Sequence, residues 1–411
     1  MSVSVDKIRV LFVMNGLTHY FNKVLNKLNS IEDFKITVLV PSKDSSNLGT
    51  GVHTTNQDIE FKVHTLPEKK RFYGKVFFDG FSKIIEKENP QIIVIIWPYI
   101  LEFVFNPFLL LSVRKKGIKI FYKDIPFQLV KFKDGLLLRQ SHIWTENEGL
   151  RKTTLLNRIN LFFVTITKWF IYRVADANLN YINDAYELLK SYSVPEEDIF
   201  VTYNSPDTDA LLNAYKRAKQ IGEILASKFN RIITVGRLVR WKRVDLLIEA
   251  VNLLRENCGD IELIIIGSGP EEIDLIKLAK ELKLDDHVKF IGPVYDPALL
   301  GRYYLSSSVY VQPGMGGLAI NEAMCFGKPV ICSVCDGTEK ELVQEGINGL
   351  YFSEGNKTDL ADKIKSLLAD PEMIEKMGKQ SESIIKNEIN IHTVIRRYEN
   401  AFHSMLNNIH I

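Results

Sequence analysis

The stretch QPGMGGLAINEAMCFGKPVI, residues 312–331, determines the fold prediction because it joins two strand patterns through a glycine-rich loop and a helix. An apolar strand pattern at 309–311 precedes the loop, and another follows at 329–332. The helix pattern at 318–326 lies between them, and the order strand, helix, strand indicates a parallel sheet covered by helices. Ligands of such sheets bind where the strands end. The loop therefore marks the fold class and the first candidate site together.

The same alternation continues through the chain on both sides of this stretch. It predicts an α/β protein with two Rossmann-like, doubly wound domains. The predicted strands are 8–14, 35–40, 92–97, 118–122, 199–202, 231–235, 261–266, 288–291, 309–311 and 329–332. The predicted helices are 19–30, 79–90, 243–257, 271–283, 297–306, 318–326 and 338–345, with a helical tail over 356–411.

The chain length favours two domains, because 411 residues exceed what one hydrophobic core usually holds. The predicted N-terminal domain covers 1–205, and a polar linker with a short helix covers 206–229. The predicted C-terminal domain covers 230–388, and a last helix covers 389–411.

Composition is that of a globular protein, with 46% hydrophobic and 25% charged residues. Four cysteines are too few for a disulfide scaffold and fit a reducing compartment. Cys332 and Cys335 form a lone C-x-x-C with no second pair or histidine cluster, so no metal is predicted.

No signal peptide is evident, and the apolar stretch 92–113 is interrupted by Pro98 and Pro107. A buried strand followed by an apolar helix is expected there rather than a membrane span, and a cytoplasmic protein is expected.

Charge is distributed unevenly between the two halves. Residues 1–200 hold 27 Lys and Arg against 21 Asp and Glu, whereas residues 201–411 hold 25 against 29. A basic first half favours an anionic partner such as a membrane surface, a lipid-linked phosphate or an acidic glycan, with chance scatter as the alternative. The amphipathic segment 155–174 fits either a helix that docks on a membrane or an ordinary core helix. The aromatic residues that would contact a membrane are Phe162, Phe163, Trp169 and Phe170.

The glycine-rich loop has the features of an anion site. Gly314, Gly316 and Gly317 allow a ligand to approach the backbone closely. The N–H groups of the helix that begins near Leu318 suit an anion such as phosphate. Glu322, about one turn later, could accept two hydrogen bonds from a vicinal diol such as a ribose. The alternative is a tight turn followed by a carboxylate that the helix dipole favours.

A second motif places two cations at the end of another strand. Arg237 and Lys242 lie between the strand pattern 231–235 and a helix, where they could clamp a diphosphate or form a solvated basic turn. Gly292 and Val294 lie in a loop at the same sheet edge, where backbone could contact a nucleotide base.

No complete dinucleotide motif is present. GSGP at 267–270 lacks the third glycine of the dinucleotide fingerprint and is interpreted as a structural turn. The first strand is followed by NGLTHYF at 15–21, which also lacks the fingerprint. An NAD-dependent enzyme is therefore disfavoured.

In their order and spacing, these motifs resemble the retaining glycosyltransferases of family 4. The segments VGRLVRWKRVDLLIEA, LIIIGSGPE, FIGPV and GGLAINEAMCFGKPVI carry the resemblance, which covers about 231–370 and more loosely 174–207. It implies the GT-B arrangement, with two facing Rossmann-like domains and an active site in the cleft between them. It also implies that the final helix crosses back onto the N-domain.

The resemblance implies roles for individual residues. Donor binding would involve Gly16, Arg237, Lys242, Gly292, Val294, Gly317, Leu318, Ala319 and Glu322. Arg237 and Lys242 would also act in catalysis by stabilising the departing diphosphate. The family often has a histidine after an N-domain strand, where this chain has Lys123 and Asp124. Asp124 could orient an acceptor hydroxyl or take its proton, or it could be an ordinary loop aspartate before an X-Pro turn.

A second departure concerns Gly314. The family usually has a glutamate eight residues before the one that matches Glu322, and it contacts hydroxyls of the donor sugar. That contact is either missing here or supplied elsewhere, which leaves the sugar open and allows a deoxysugar donor.

The predicted function is metal-independent transfer of a hexosyl or deoxyhexosyl group from a nucleotide diphosphate sugar. The acceptor would be a glycan or a lipid-linked molecule, transfer would proceed with retention, and the product would serve surface polysaccharide biosynthesis. No cofactor, metal or nucleic-acid partner is expected, and contact with the inner face of a membrane is a further expectation. The alternatives are a nucleotide-sugar epimerase and a non-catalytic nucleotide-sugar binder on the same fold.

Overall fold

The computed structural model of the protein forms two compact units. It describes residues 7–43, 54–70, 74–124, 129–139, 142–145, 149–226, 228–256, 260–335 and 337–407. The first unit comprises Met1–His142, Lys152–Tyr203 and His392–Ile411, and the second comprises Ile143–Arg151 and Asn204–Ile391.

The helices and strands alternate along the chain as the sequence predicts. The elements up to residue 201 are β1 (Ile8–Val13), α1 (His19–Ser30), β2 (Phe34–Pro41), β3 (Lys62–Leu66), β4 (Glu68–Lys70), β5 (Val76–Phe78), α2 (Phe81–Glu88), β6 (Ile92–Ile96), α3 (Leu101–Phe105), α4 (Pro107–Lys115), β7 (Lys119–Lys123), α5 (Phe132–Leu136), β8 (His142–Thr145), β9 (Gly149–Lys152), α6 (Leu155–Val174), β10 (Ala177–Asn180), α7 (Ala185–Ser191) and β11 (Ile199–Val201). The later elements are α8 (Thr208–Ile221), β12 (Arg231–Val235), α9 (Val244–Leu254), β13 (Glu262–Ile266), α10 (Glu272–Glu281), β14 (Val288–Gly292), α11 (Pro297–Leu305), β15 (Val309–Gln312), α12 (Leu318–Cys325), β16 (Val330–Cys332), α13 (Thr338–Leu342), β17 (Gly349–Tyr351), α14 (Lys357–Leu368), α15 (Pro371–Asn387) and α16 (Ile391–Asn407).

The first unit is built on a seven-stranded sheet in the order β11-β10-β7-β6-β1-β2-β3, with every neighbouring pair parallel. β6, with the sequence IIVII, is buried along almost its whole length, as expected for a strand covered by helices on both faces. The chain leaves β1 towards β3 and later returns to β6 on the other side. This reversal between β1 and β6 is a topological switch point, where α/β sheets open a ligand crevice.

The second unit is built on a six-stranded parallel sheet in the order β14-β13-β12-β15-β16-β17. Its core contains apolar residues of the central strands, among them Ile232, Leu263, Ile265, Val309 and Val311. The chain leaves β12 towards β14 and returns to β15, so the switch point of this sheet lies between β12 and β15. Two parallel sheets with covering helices confirm the predicted α/β class.

The last helix, α16, packs within the first unit. Phe402 contacts Phe34 and Phe121 with ring centroids 5.7 and 5.5 Å apart. Tyr398 lies 6.3 Å from Phe12 in the same cluster. These contacts bury one apolar face of α16, and they tie the end of the chain to strands from its beginning.

The stretch predicted as a linker, 206–229, contains a helix of 14 residues, α8. Its buried residues Leu211, Ala214 and Ala218 belong to the second unit. α8 packs closely on α11, because a Cβ placed on Gly301 of α11 would lie 2.9 Å from the Ala218 methyl group. The helix expected in this stretch is therefore packed within the second unit.

The apolar stretch 92–113 forms β6 followed by the short helices α3 and α4, as the interrupting prolines indicate. Among the helices that the structure describes, none combines the length and the apolar character needed to cross a bilayer.

Candidate functional site

The two candidate phosphate-binding motifs meet at the switch point of the second sheet. Arg237 and Lys242 follow β12, and the glycine loop, residues 313–317, follows the neighbouring strand β15. The two strands are parallel, so their carboxyl ends open at the same edge of the sheet. The fold thereby places two cations beside a backbone loop that leads into the N-terminus of α12.

The glycine loop is held from two sides. Lys242 Nζ donates to the carbonyl oxygen of Met315 at 2.8 Å and also contacts the carbonyl oxygen of Gly316. Met315 N donates to the carbonyl oxygen of Trp241 at 3.0 Å. From the other side, Glu339 Oε1 accepts a hydrogen bond from Gly316 N at 2.7 Å. The loop conformation is therefore fixed by side chains of opposite charge.

Two positions in the loop require glycine for different reasons. A Cβ on Gly314 would lie 2.2 Å from the carbonyl oxygen of Trp241 and 2.8 Å from the carbonyl carbon of Lys242. Gly317 has φ +120°, a conformation that residues with a side chain rarely adopt. Backbone therefore occupies the space at Gly314 where the resemblance places a glutamate side chain.

Glu322 lies in the second turn of α12, the helix that begins directly after the loop. Tyr304 Oη donates to Glu322 Oε1 at 3.2 Å. Burial raises the pKa of Glu322 to about 7, and the hydrogen bond from Tyr304 offsets part of that effect. Near neutral pH the side chain therefore exchanges between the acid and the carboxylate, and the carboxylate is the form that accepts two diol hydrogen bonds.

The loop that carries Arg237 rests on the GSGP turn. A Cβ on Gly267 would lie 1.9 Å from the carbonyl oxygen of Gly236, and one on Gly269 would lie 2.3 Å from that of Leu238. These glycines are needed for backbone to pack on backbone, which agrees with the interpretation of 267–270 as a structural turn. Arg237 itself lies over the Trp241 ring, with its guanidinium carbon 5.6 Å from the ring centroid.

Gly292 and Val294 lie at the same sheet edge, farther from the glycine loop. Gly292 ends β14 with φ +82°, and Val294 is partly buried in the loop that follows. β14 is two strands from β12, so this loop lies about 10 Å along the edge from the Arg237 loop at the usual strand spacing. That separation is within the length of a nucleotide.

Gly16 and Asp124 belong to the first unit. Gly16 follows β1 at the switch point of that sheet and lines a cavity of about 560 Å³. Asn15, Ser42 and Lys43 line the same cavity. Its size is within the range of small-molecule sites.

Asp124 follows β7 directly, and its Oδ2 atom has two donors. Lys168 pairs with this oxygen, and Tyr172 Oη donates to it at 3.3 Å. Lys168 also donates to Tyr122 Oη at 2.7 Å. The Lys168 and Asp124 side chains are only 13% and 14% exposed, so the ion pair is largely removed from water. An acceptor hydroxyl would have to be oriented through the other oxygen, Oδ1.

Lys123, the neighbour of Asp124, lies among aromatic rings. Its ammonium is 4.2 Å from the ring centroid of Tyr181 and 4.6 Å from that of Phe21. Burial lowers the pKa of Lys123 to about 8. Of the two residues that this chain has where the resemblance often has a histidine, Lys123 is therefore an amine that titrates in a mildly alkaline range.

Three partners of the candidate residues were missed by the sequence reasoning: Tyr304, Lys168 and Glu339. Lys168 is 44 residues from Asp124 in the chain, and Glu339 is 23 residues from Gly316. No local signal connects these pairs, because the sheet topology brings them together.

In the parts of the chain that the structure describes, no group of three or more His, Cys, Asp and Glu side chains is arranged to hold a metal ion.

A parallel sheet with cations, a glycine loop and a helix N-terminus at its switch point is the architecture of a nucleotide-binding α/β domain. Residues 216–384 match the family model of glycosyl transferases group 1. This part of the chain is similar to domains of that family, in agreement with the resemblance that the motifs indicate.

Curated relatives that match part of this chain include a named glycosyltransferase. An uncharacterized glycosyltransferase of Haemophilus influenzae is 32% identical over 171 residues, which are 41% of this chain and 47% of the relative. The N-acetyl-alpha-D-glucosaminyl L-malate synthase of Bacillus anthracis is 26% identical over 55% of this chain and 58% of its own length. The chain thus spans about half the length of these relatives.

Solved structures share the fold over nearly the whole chain. The Anabaena protein Alr3699/HepE, solved in complex with UDP, superposes with a TM-score of 0.65 at 16% identity. The match covers 97% of this chain and all of that protein. At this identity the likeness establishes the shared fold.

Proposed function

We propose that the protein is a glycosyltransferase that moves a sugar from a nucleotide diphosphate sugar to a glycan or lipid-linked acceptor. The observation that carries the proposal is the meeting of Arg237, Lys242 and the glycine loop at the switch point of the second sheet. The group 1 domain at 216–384 and the fold shared with a UDP-bound protein support it.

Transfer requires that the diphosphate be stabilised as its bond to the sugar breaks. Arg237 and Lys242 supply positive charge, and the N–H groups of Leu318 and Ala319 supply fixed dipoles at the start of α12. The glycine loop is already held in place by hydrogen bonds, so little reorganisation accompanies the reaction. We propose that these groups stabilise the leaving diphosphate without a metal ion.

On the acceptor side, we propose that Asp124 orients the attacking hydroxyl. The Lys168 ammonium fixes the carboxylate of Asp124, which then presents Oδ1 as an acceptor of a hydrogen bond. Transfer with retention of configuration is proposed from the resemblance to the retaining enzymes.

For the donor, we propose a nucleotide whose ribose hydroxyls bind Glu322. UDP is the first nucleotide to test, because the Anabaena protein was solved with it. The backbone beside Gly314 leaves no room for the carboxylate that would contact a sugar hydroxyl in the resembling enzymes. A hexose bound through other groups, or a deoxyhexose that lacks that hydroxyl, fits this site.

The test is release of nucleoside diphosphate from a panel of nucleotide sugars, with and without a glycan or lipid-linked acceptor. We expect release that depends on the acceptor and is strongly reduced in Arg237→Ala. Arg240→Ala is the matched control, since Arg240 lies in the same turn with its side chain 53% exposed. Conversion of the nucleotide sugar to an epimer without any acceptor would favour the epimerase. Binding of the nucleotide sugar without turnover would favour the non-catalytic binder.

We further propose that the enzyme acts in surface polysaccharide biosynthesis, in the cytoplasm at the inner face of an anionic membrane. An apolar surface on α3, α4 and α6 of the first unit supports this proposal. Its exposed residues are Phe105, Phe108, Leu111, Leu155, Leu156, Ile159, Phe163 and Phe170. The five on α6 lie within an arc of about 100° on the helix, so they share one face. Thr165 and Tyr172, on the other side of α6, are buried.

The aromatic residues expected to contact a membrane separate into two groups. Phe163 and Phe170 are exposed. Phe162 is partly buried, and Trp169 stacks on Phe132 with ring centroids 6.5 Å apart. Trp169 therefore supports the packing of the first unit, and the contact surface extends instead to α3 and α4.

The segment of the sequence that carries these helices is strongly basic. The segment 101–174 contains thirteen Lys and Arg against five Asp and Glu, a net charge of +8 in a chain of net charge +2. Arg114, Lys115 and Lys116 are exposed at the end of α4, and Arg114 reaches the carbonyl oxygen of Arg173 at the end of α6. Exposed apolar side chains with basic residues beside them fit the interface of a bilayer with anionic headgroups.

Vesicle co-sedimentation tests this contact with phosphatidylcholine alone and with added phosphatidylglycerol. We expect binding only to the anionic vesicles, weakened about tenfold by Leu156→Ser because burial of one such side chain contributes roughly 1.5 kcal/mol or more. Ile273→Ser is the matched control, since Ile273 in the second unit and Leu156 are both 79% exposed. Equal loss in both variants, or no binding to anionic vesicles, would contradict the proposal.

A further inference from the structure

Glu339 is a fully buried carboxylate that holds the glycine loop but is not among the residues proposed to contact the donor. It lies in the first turn of α13 and is 0% exposed. Its Oε1 accepts from Gly316 N at 2.7 Å, and its Oε2 accepts from Gly337 N at 3.1 Å and from Cys335 N at 3.3 Å. Three backbone donors satisfy the buried charge and tie the loop after β16 to the glycine loop.

Opposite charges orient the peptide units of the glycine loop. The carboxylate of Glu339 attracts the N–H of Gly316, while the ammonium of Lys242 attracts the carbonyl oxygens of Met315 and Gly316. Hydrogen bonds to charged groups are the stronger class, so the two groups together define the path by which the chain enters α12.

Close packing makes Gly316 and Glu339 a matched pair. A Cβ on Gly316 would lie 2.7 Å from Glu339 Oε1 and 3.1 Å from its Cδ atom. Any side chain at position 316 would push the carboxylate away from the N–H that it accepts.

Glu339 and the proposed diphosphate ligand are both negatively charged. A carboxylate beside the loop that would receive a diphosphate repels the anion, so its charge alone would weaken donor binding. A benefit of Glu339 to the site must therefore come from the loop geometry. The two contributions predict opposite changes in affinity when the charge is removed.

We propose that Glu339 is a positioning residue for the donor diphosphate, acting through Gly316 to hold the glycine loop against the start of α12. This inference rests on the proposed function. Glu339→Gln removes the charge and places the NH2 group of the amide, a donor, against the N–H groups of Cys335 and Gly337. Glu339→Ala removes both acceptor oxygens.

The test is calorimetric titration of UDP, or of whichever of GDP, ADP and TDP gives the largest thermal shift with the wild type. We expect affinity to fall about tenfold or more in Glu339→Ala and in Gly316→Ala, and less in Glu339→Gln, as the loss of charge-assisted hydrogen bonds implies. The donor KM should rise in parallel while the acceptor KM stays unchanged. Glu345→Gln is the matched control, since Glu345 accepts from Tyr351 N and its side chain is 48% exposed.

Unchanged or tighter nucleotide binding in Glu339→Gln and Gly316→Ala would overturn the inference, because neither the charge of Glu339 nor its contact with Gly316 would then favour binding. If Glu339→Ala fails to fold, these two variants still decide the question. A wild type that binds none of the four nucleotides would instead count against the proposed function itself.

Discussion

Substitution of Gly314 gives a quantitative prediction, because backbone surrounds this residue in the second unit. A Cβ there would lie 2.2 Å from the carbonyl oxygen of Trp241 and 2.8 Å from the carbonyl carbon of Lys242. Neither atom is the end of a flexible side chain, so the loop itself must move. Gly314→Ala introduces this collision alone, and Gly314→Glu adds the carboxylate that the resembling enzymes have.

The cost has two parts. Overpacking of a tightly packed site costs about 1–3 kcal/mol. Displacing the loop also loses the hydrogen bond from Met315 N to the carbonyl oxygen of Trp241, now 3.0 Å, at a further cost of about 0.5–1.5 kcal/mol. Together these give roughly 2–4 kcal/mol, which lowers Tm by roughly 5–15 °C for a unit of this size.

Urea unfolding and thermal unfolding measure this cost, and donor turnover measures its consequence. The matched control is Gly355→Ala, where φ is +75° and nothing lies within 4 Å of a Cβ, so only backbone strain of about 1 kcal/mol is expected. We expect both Gly314 variants to be less stable than the control and Gly314→Glu to gain no turnover. A Gly314→Glu variant as stable as the wild type, or more active, would refute the reasoning from the collision.

Three further predictions concern the titrating and paired groups. Affinity for an intact nucleotide sugar should rise as pH increases through about 7, because the pKa of Glu322 is raised to that value and the carboxylate is the better hydrogen-bond acceptor. Glu322→Gln should remove this pH dependence of the affinity. The same raised pKa means that ionised Glu322 destabilises the fold, so the stability of the wild type relative to Glu322→Gln should fall as pH rises from 4.5 through 7, measured by urea unfolding. Lys168→Met should destabilise the first unit by roughly 2–4 kcal/mol, since it leaves a largely buried carboxylate without its cation. The double variant Lys168→Met/Asp124→Asn should recover part of this lost stability. Purely additive effects in that double-mutant cycle would show that the pair is not coupled.

Several of the strands that the sequence predicted are continuous runs of apolar, mostly β-branched residues. β6, β12 and β13 are short apolar segments between turn signals, and parallel strands buried on both faces have this pattern. The glycine loop and the cations after β12 could be identified for the same reason, since each follows such a strand immediately. The sequence thus indicates both the sheet and the positions at its carboxyl edge.

Three of the strands that the sequence did not predict lack a clear local signal. β10 has the sequence ANLN, whose residues seldom form strands, yet all four are buried between β7 and β11. β3, KVHTL, is an edge strand with exposed polar residues, and β17 is only three residues long. Pairing with neighbouring strands makes these segments extended, and that pairing is not encoded within them.

The candidate site shows the same division between local and long-range information. Glu322 and the loop glycines were identified from one continuous stretch. The partners that hold them are distant in sequence, as with Glu339 on Gly316 and Tyr304 on Glu322. The collision at Gly314 was likewise invisible, since it depends on the path of the backbone near Trp241.

The central claim, that the switch point of the second sheet binds the diphosphate of a nucleotide, is tested most directly by calorimetric titration. UDP, GDP, ADP and TDP are titrated into the wild type and into Arg237→Ala/Lys242→Ala, with Arg240→Ala as the control. We expect one nucleotide to bind the wild type and the control alike, and to bind the double variant at least tenfold more weakly, because each lost charged contact contributes about 1.5–3 kcal/mol. Equal affinity in the wild type and the double variant would contradict the claim.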